Sequence, residues 1–362
     1  FKTYAIGLVR SDSGAVGGVA GTAQGSIDSS FHNGGDVSGV NHIGGLVGAA
    51  YGTITHSYSE GNVIGTGDYV GGLAGFVSVV AEKGLYFVNH NGDYVLGQNR
   101  VGGLVGCVQQ GNVSNSYAEI KQIYGSNYVG GLIGINGDGT IEYSQFNGDS
   151  LVGKDNVGGL IGEKVYGKID RSHSEVSVKG NNNVGGLVGR VSSVSVVNSY
   201  ATVNVFYDEG ELSENIGGLI GFQKGGLINK AAAHGNVSGI NNVGGLVGQT
   251  KGTNISQAYA NGNVSGEKNT GGLVGSIDGS INESYANGNV VTTEGDNTNV
   301  GCLVGVVNDT ASISNSYFDN TKCDANADGS DKAHLTGVFG KSTSDMQTQS
   351  TFDGWDFSKI WI

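Results

Sequence analysis

The chain has 362 residues, with 19 Lys and Arg against 32 Asp and Glu, and its formal net charge of −13 argues against a nucleic acid or an anionic membrane as partner. Glycine supplies 68 residues and proline none. That excludes collagen, which needs proline beside a glycine at every third position, and points to strands hydrogen-bonded on both sides. Charged residues are sparse at 14%, which suits stacked strands, because like charges repel at the inter-strand distance of about 4.8 Å whereas amides and hydroxyls can bond to one another.

From residue 15 onward a Val-Gly-Gly-Leu-Val-Gly tract returns at a spacing of 27 to 32 residues, marked by Val19, Leu46, Leu73, Leu104, Leu132, Leu160, Leu187, Leu219, Leu246, Leu273 and Leu303. A length that would ordinarily mean two or three globular domains therefore reads as one elongated body. Each unit carries three apolar tracts of strand length: Ile-x-x-Ser/Ala-Tyr, as at Ile54 to Tyr58 and Ile281 to Tyr285; Gly-Asn-Val-Ser-Gly or a relative; and the Gly-Gly-Leu tract. Gly, Asn and Asp stand at the corners, where positive φ is needed. A three-strand unit that cannot close its own core must stack on its neighbours. The expected fold is all-β, a right-handed parallel β-helix (β-solenoid) of about eleven coils with three short strands per coil, the hand following from parallel crossovers in general. At about 4.8 Å per rung it is a rod roughly 50 Å long. The expected divisions are an N-terminal cap or truncated coil at 1–14, the solenoid at 15–318 and a C-terminal loop and capping segment at 319–362. Longer repeats place protruding loops at Val77 to Gly84, Tyr207 to Glu214 and Thr292 to Asn299.

Within the Gly-Gly-Leu tract the Leu and the residue after it are both apolar in every copy, whereas strict alternation buries only one of them. Either the glycines bend the strand so that both point inward, or the second column, Val47 through Val304, forms an outward aliphatic stripe.

The repeats closely resemble the GLUG motif family, named for the Gly-Leu-x-Gly core seen at Gly45 to Gly48, Gly103 to Gly106 and Gly245 to Gly248. The resemblance covers about residues 15 to 305, and the segment from Lys341 to Ile362 looks like the closing element of such arrays. It implies an extracellular or cell-surface protein of adhesin type, in a family that also accompanies IgA-cleaving zinc metalloproteases. The expected role is non-enzymatic: a structural or adhesive solenoid presenting a binding surface or stalk. The alternatives are a subunit of a self-assembling extracellular filament or sheath, associating end to end or laterally, and an accessory module of a secreted protease or glycan-active enzyme. A cell-surface glycan or protein receptor is the expected partner, and no membrane insertion is expected within the chain. No signal peptide is recognisable at Phe1.

No His-Glu-x-x-His tract occurs, and the seven histidines are scattered over different coils, which reads as solvated surface residues. Glu142 and Asp170 follow the first-strand Ile in successive coils but lack a third partner for acid–base work. An aromatic column ends the first tract: Phe31, Tyr58, Tyr117, His173, Tyr200, Tyr259, Tyr285 and Tyr317. Outward rings could stack on sugars or on another protein; the alternative is an aromatic stack that holds the rungs in register.

Beyond the array, Asp324, Asn326, Asp328 and Ser330, with Gly329 at the turn, reproduce the start of a calcium loop. Leu335 takes the place of the bidentate Glu, so an EF-hand is not supported, and Asp331 is one candidate for the missing oxygen. Ca²⁺ is the only cofactor the chain suggests. Cys107 and Cys302 lie seven rungs apart, too far for a bond. Cys302 with Cys323 is the one feasible disulfide, with a free buried Cys302 as the alternative. Phe352, Trp355, Phe357, Ile360 and Trp361 are candidates to cover the last rung.

Overall fold

The structure is a computed structural model, and it describes residues 2–80, 83–208, 210–293, 298–330, 335 and 337–358. One coil shows the construction. It runs through the strands Ile43–Gly44, Val47–Ala50, Ile54–Thr55, Tyr58–Glu60 and Val63–Gly65, and each pairs in parallel with its counterparts one coil before and one coil after. Val70, for example, stands between Ile43 and Val101. Eleven such turns form a parallel β-solenoid built from the three repeated tracts. Hydrogen bonding resolves those tracts into four ladders, one of 20 strands and three of 11. The Gly-Gly-Leu tract breaks at its bend into two of them, while the Tyr end of the first tract joins the second tract in the widest. Among the described residues no helix is long and apolar enough to cross a membrane.

The bend answers the question raised by the double apolar column. Between Ile43–Gly44 and Val47–Ala50 the backbone turns, so that Leu46 and Val47 both point inward and are fully buried. The same holds for Ala74, Val105, Ile133, Ile161, Val188, Ile220, Val247, Val274 and Val304, so no outward aliphatic stripe exists. The second glycine is required by close approach. A Cβ on Gly45 would lie 2.2 Å from the carbonyl oxygen of Gly72 in the next coil, a distance at which no side chain can be accommodated.

Two other corners use the left-handed backbone region. Ahead of each Gly-Gly-Leu tract stands a residue with φ near +55°, which is Asn156, Asn183, Asn215, Asn242, Asn269 and Asn299 in the later coils. Asn tolerates this conformation better than most residues, and here it does a second job. From Asn183 onward each of these amides donates Nδ2–H to the Oδ1 of the preceding one, at 2.8 to 3.0 Å, in an unbroken ladder. In the earlier coils the same column is His42, Tyr69, Arg100 and Tyr128. There the ladder is held by ring stacking of His42 on Tyr69 (4.6 Å) and by the Arg100 guanidinium 4.8 Å from the Tyr69 centroid.

At the other corner, the buried serine of Ile-x-x-Ser-Tyr locks the register. Ser144 Oγ donates to the Glu142 carbonyl two residues back (2.8 Å) and accepts from the Ser116 N–H one coil earlier (3.3 Å). Ser172 and Ser199 repeat the pattern, so the turn and the coil-to-coil step share one hydroxyl.

The core is apolar apart from a few inserts. His32 and His90 are fully buried on the inward side of the first tract. This corrects the expectation that the scattered histidines are solvated. His90 Nδ1 lies 2.9 Å from Ser59 Oγ, and burial pushes its pKa down to about 3. Lys164 is also fully buried, in an inward column that reads Val108, Asn136, Lys164 and Val191. Its Nζ donates to Asn136 Oδ1 and to the Gly139 carbonyl, the latter at 2.9 Å, and burial, opposed by the Asp138 charge, pushes its pKa down to about 7.

At the C-terminal end Val338–Lys341 adds one more parallel strand onto Ser316–Asp319. Phe352 and Trp355 then pack on the side of the rod, against Tyr317 and Tyr285, so the aromatic terminus clasps the outer ladder. Ile360 and Trp361 lie outside the described residues.

Candidate functional site

The aromatic column of the sequence is a continuous register line on the outer face: Tyr4, Phe31, Tyr58, Asn89, Tyr117, Gln145, His173, Tyr200, Ala232, Tyr259, Tyr285, Tyr317 and Phe339. Neighbouring rings stack nearly parallel at 5.1 Å for Phe31 on Tyr58, 4.8 Å for His173 on Tyr200 and 5.0 Å for Tyr259 on Tyr285. Tyr117 and Tyr200 are each 38% exposed, whereas Tyr317 is covered by Phe352 and Trp355. Burial holds the Tyr259 and Tyr285 hydroxyls above the usual range, Tyr285 further so beside Tyr259. The line therefore combines both readings, with stacked rings that set the register and several faces open to solvent.

Three rungs lack a ring. At Asn89 and Gln145 an amide takes the position, but Ala232 offers only a methyl group, and a notch of about 340 Å³ opens between Tyr200 and Tyr259. Ala231 and Ala232 form its floor. Asn198, Lys230 and Gln257 bound one side and Thr202 and His234 the other. His234 is itself held, with Nδ1 2.8 Å from Asn261 Nδ2 and Nε2 3.3 Å from the Tyr259 hydroxyl. The Ala231-Ala232-Ala233 run in place of the usual Ser-Tyr was the only sequence signal for this notch.

A wider groove of about 760 Å³ lies on the same sheet nearer the N-terminus, lined by Glu60, Asp93, Glu119 and Asp149 among others. Its outward column alternates Glu60, Asn91, Glu119, Asn147 and Glu175, which keeps like charges off adjacent rungs. Lys121 Nζ neutralises Asp93 at 2.6 Å.

The paired acids Glu142 and Asp170 do stand in register on adjacent rungs. Asp170 is committed to structural partners, with Lys168 at 2.8 Å, Arg171 at 3.2 Å and Asn198 Nδ2 at 2.9 Å. Burial pushes its carboxyl up, but these donors and charges outweigh it and hold the pKa below the usual carboxylate range. It is poorly suited to take up a proton.

The Asp324 to Ser330 segment lies along the last full coil as a partial rung. Leu303 and Val304 N–H both donate to the Ala327 carbonyl, at 3.0 and 3.1 Å, as Leu273 and Val274 N–H do to that of Leu303. Ala325 to Gly329 thus stands where another Gly-Gly-Leu-x-Gly tract would stand, with only its final glycine kept. Asp328 Oδ1 accepts from the Ser330 N–H and Oγ. Among the described residues no group of three His, Cys, Asp or Glu is placed to hold a metal; Asp331 and His334 lie outside them. Cys302 and Cys323 are joined by a disulfide with a Cα–Cα distance of 5.6 Å, tying this segment to the last coil, while Cys107 is free and buried, its thiol pushed up to about 11 by burial.

Compared with known proteins, the chain matches the GLUG motif at residues 39–64, 97–124 and 125–151. No curated protein and no solved structure matches it. Each matched segment spans one coil, including its Gly-Gly-Leu bend and its Ile-x-x-Ser corner or their counterparts. Three of the coils accordingly match the GLUG motif, and the chain is a structural repeat protein.

Proposed function

We propose that the chain is an extracellular, non-enzymatic solenoid that presents an adhesive surface on a stiff rod. The observation that supports this reading is the outer register line, in which open tyrosine faces and amides repeat at one rung spacing along the same sheet. Such a surface can make several weak contacts at once, and rigid repetition converts them into avidity. The Cys302–Cys323 disulfide suits an oxidising compartment, and the sparse charge of the chain as a whole lowers the desolvation cost of contact. The test is solid-phase binding of the purified chain to extracellular glycans and matrix proteins, alongside electron microscopy. Saturable retention by isolated rods of about 50 Å supports the reading. Regular fibres without retention would favour the filament subunit, and retention on no surface would sink the adhesive role.

A further inference from the structure

The outward stripe that the Gly-Gly-Leu tract does not form stands on the second tract instead. Val63, Val95, Ile123 and Leu151 face the core and are buried. The residues that follow them, Ile64, Leu96, Tyr124 and Val152, pair in register and point outward by strand alternation; Tyr124 is 40% exposed. Four successive rungs set these side chains in a line about 14 Å long. In the two coils before, the same position is polar, Arg10 and Ser38.

The acidic groove runs beside this line on the same four rungs. Asp93, Lys121 and Asp149 stand three residues before Leu96, Tyr124 and Val152, at most about 10 Å along the strands. Four carboxylates line the groove against one lysine, and Asp93 takes up that lysine at 2.6 Å. Glu60 and Glu119 form no ion pair among the described residues. Asn91, which also lines the groove, has a buried Oδ1 with no hydrogen-bond partner among the described residues. The groove therefore offers acceptors and negative charge, and the line offers apolar contact.

We infer that this face, the acidic groove with the Ile64 to Val152 line, docks a basic amphipathic helix of a partner protein along the rod axis. A helix with its side chains is about 10 to 12 Å across, so its apolar stripe covers the line while one flank turns Lys or Arg into the groove. The rung spacing of about 4.8 Å is near the helix pitch of about 5.4 Å, and over four rungs successive turns stay within about 2 Å of register. An extended segment along the axis would point alternate residues away from the sheet and meet only one of the two features. A second copy of this chain would bring a charge of −13 and no basic run, so it is not the guest.

This assignment rests on the reading of the rod as a presenting surface and adds the class of partner. The test is fluorescence anisotropy of the full chain with a labelled peptide of about 14 residues, long enough to hold a helix on a surface, with leucine on one face and lysine on the other. One control carries glutamate for lysine, and another has the same composition in scrambled order. One peptide per chain is expected, with a gain in helical circular dichroism and weaker binding as salt rises. The scrambled peptide binds at least about tenfold more weakly, and the acidic one does not bind. Glu60→Gln with Glu119→Gln lowers the affinity about tenfold, about threefold for each surface charge lost. Leu96→Thr with Tyr124→Thr gives two outward positions a residue that suits a strand; it lowers the affinity about tenfold or more and leaves the melting temperature unchanged. Equal binding of the ordered and scrambled peptides, binding without a helical gain, or affinity untouched by either pair of substitutions overturns the docking face. Should the face fail, retention of the wild-type rod on matrix proteins would still leave the presenting surface standing.

Discussion

The pair formed by Asn136 and Lys164 is a polar insert in an apolar column, and its replacement by two valines is expected to stabilise the rod at neutral pH. The unfolded Lys164 ammonium titrates at 10.5 and the buried one at about 7. The native state therefore binds fewer protons than the unfolded one between these values, and stability falls as pH drops through that window. At about 1.4 kcal/mol for each pH unit separating the two values, the group costs about 4 kcal/mol at pH 7 relative to pH above 10.5. Against this stand the hydrogen bonds to Asn136 and Gly139, each with a net worth of about 1 kcal/mol. Asn136→Val with Lys164→Val extends the run of Val108 and Val191 at nearly constant total side-chain volume. It should add about 1 to 4 kcal/mol at pH 7, the range found when buried polar groups give way to well-packed apolar ones. Guanidinium denaturation followed by circular dichroism at pH 7 and pH 10 measures both effects. The wild type should gain stability over that interval relative to the double variant. A double variant less stable at pH 7, or one whose stability rises with pH as steeply as the wild type's, would refute the assignment of cost to the buried ammonium.

Buried His90, with its pKa lowered from 6.5 to about 3, contributes stability that is whole above pH 6.5 and is lost as pH falls toward 3. At pH 5 the loss is about 2 kcal/mol, and His90→Phe, which copies the ring of Phe146 in the same column, should remove it from a melting-temperature profile against pH. Gly131→Ala places a Cβ 2.0 Å from the Gly159 carbonyl oxygen; an expected loss of about 3 kcal/mol or more, or failure to yield folded protein, is read by chemical denaturation. Cys323→Ser releases a loop closed over a sequence separation of 21 and should cost about 3 kcal/mol, with the loss confined to the C-terminal coils in hydrogen exchange.

The periodic glycines made the solenoid legible because each reports a backbone contact that recurs once per coil: Gly45 against the carbonyl of Gly72 needs no knowledge of the rest of the fold to demand a close neighbour. The aromatic column was legible for the same reason, one residue type at one phase of the repeat. The bend at Gly-Leu stood as one of two alternatives, since alternation along a strand says which residues share a face but not where the strand turns. What lay beyond the linear pattern was decided by register between coils of unequal length. The gap at Ala232 is signalled by the alanine run, and Asn136 and Lys164 share one phase of the repeat behind Leu132 and Leu160, but that Asn136 and Lys164 stand inside the core is settled only by the folded coils. The buried histidines show the same limit: His90 faces the core because it shares an inward column with Ser59 and Ala118, a position that composition would assign to an apolar residue. Likewise the place of the Asp324 to Ser330 segment as a partial rung on the Leu303 tract is visible only in the stacked coils. Repetition within the chain is local information and specifies the coil; the surface that meets other molecules is made where coils differ, and only their stacking shows what those differences leave open.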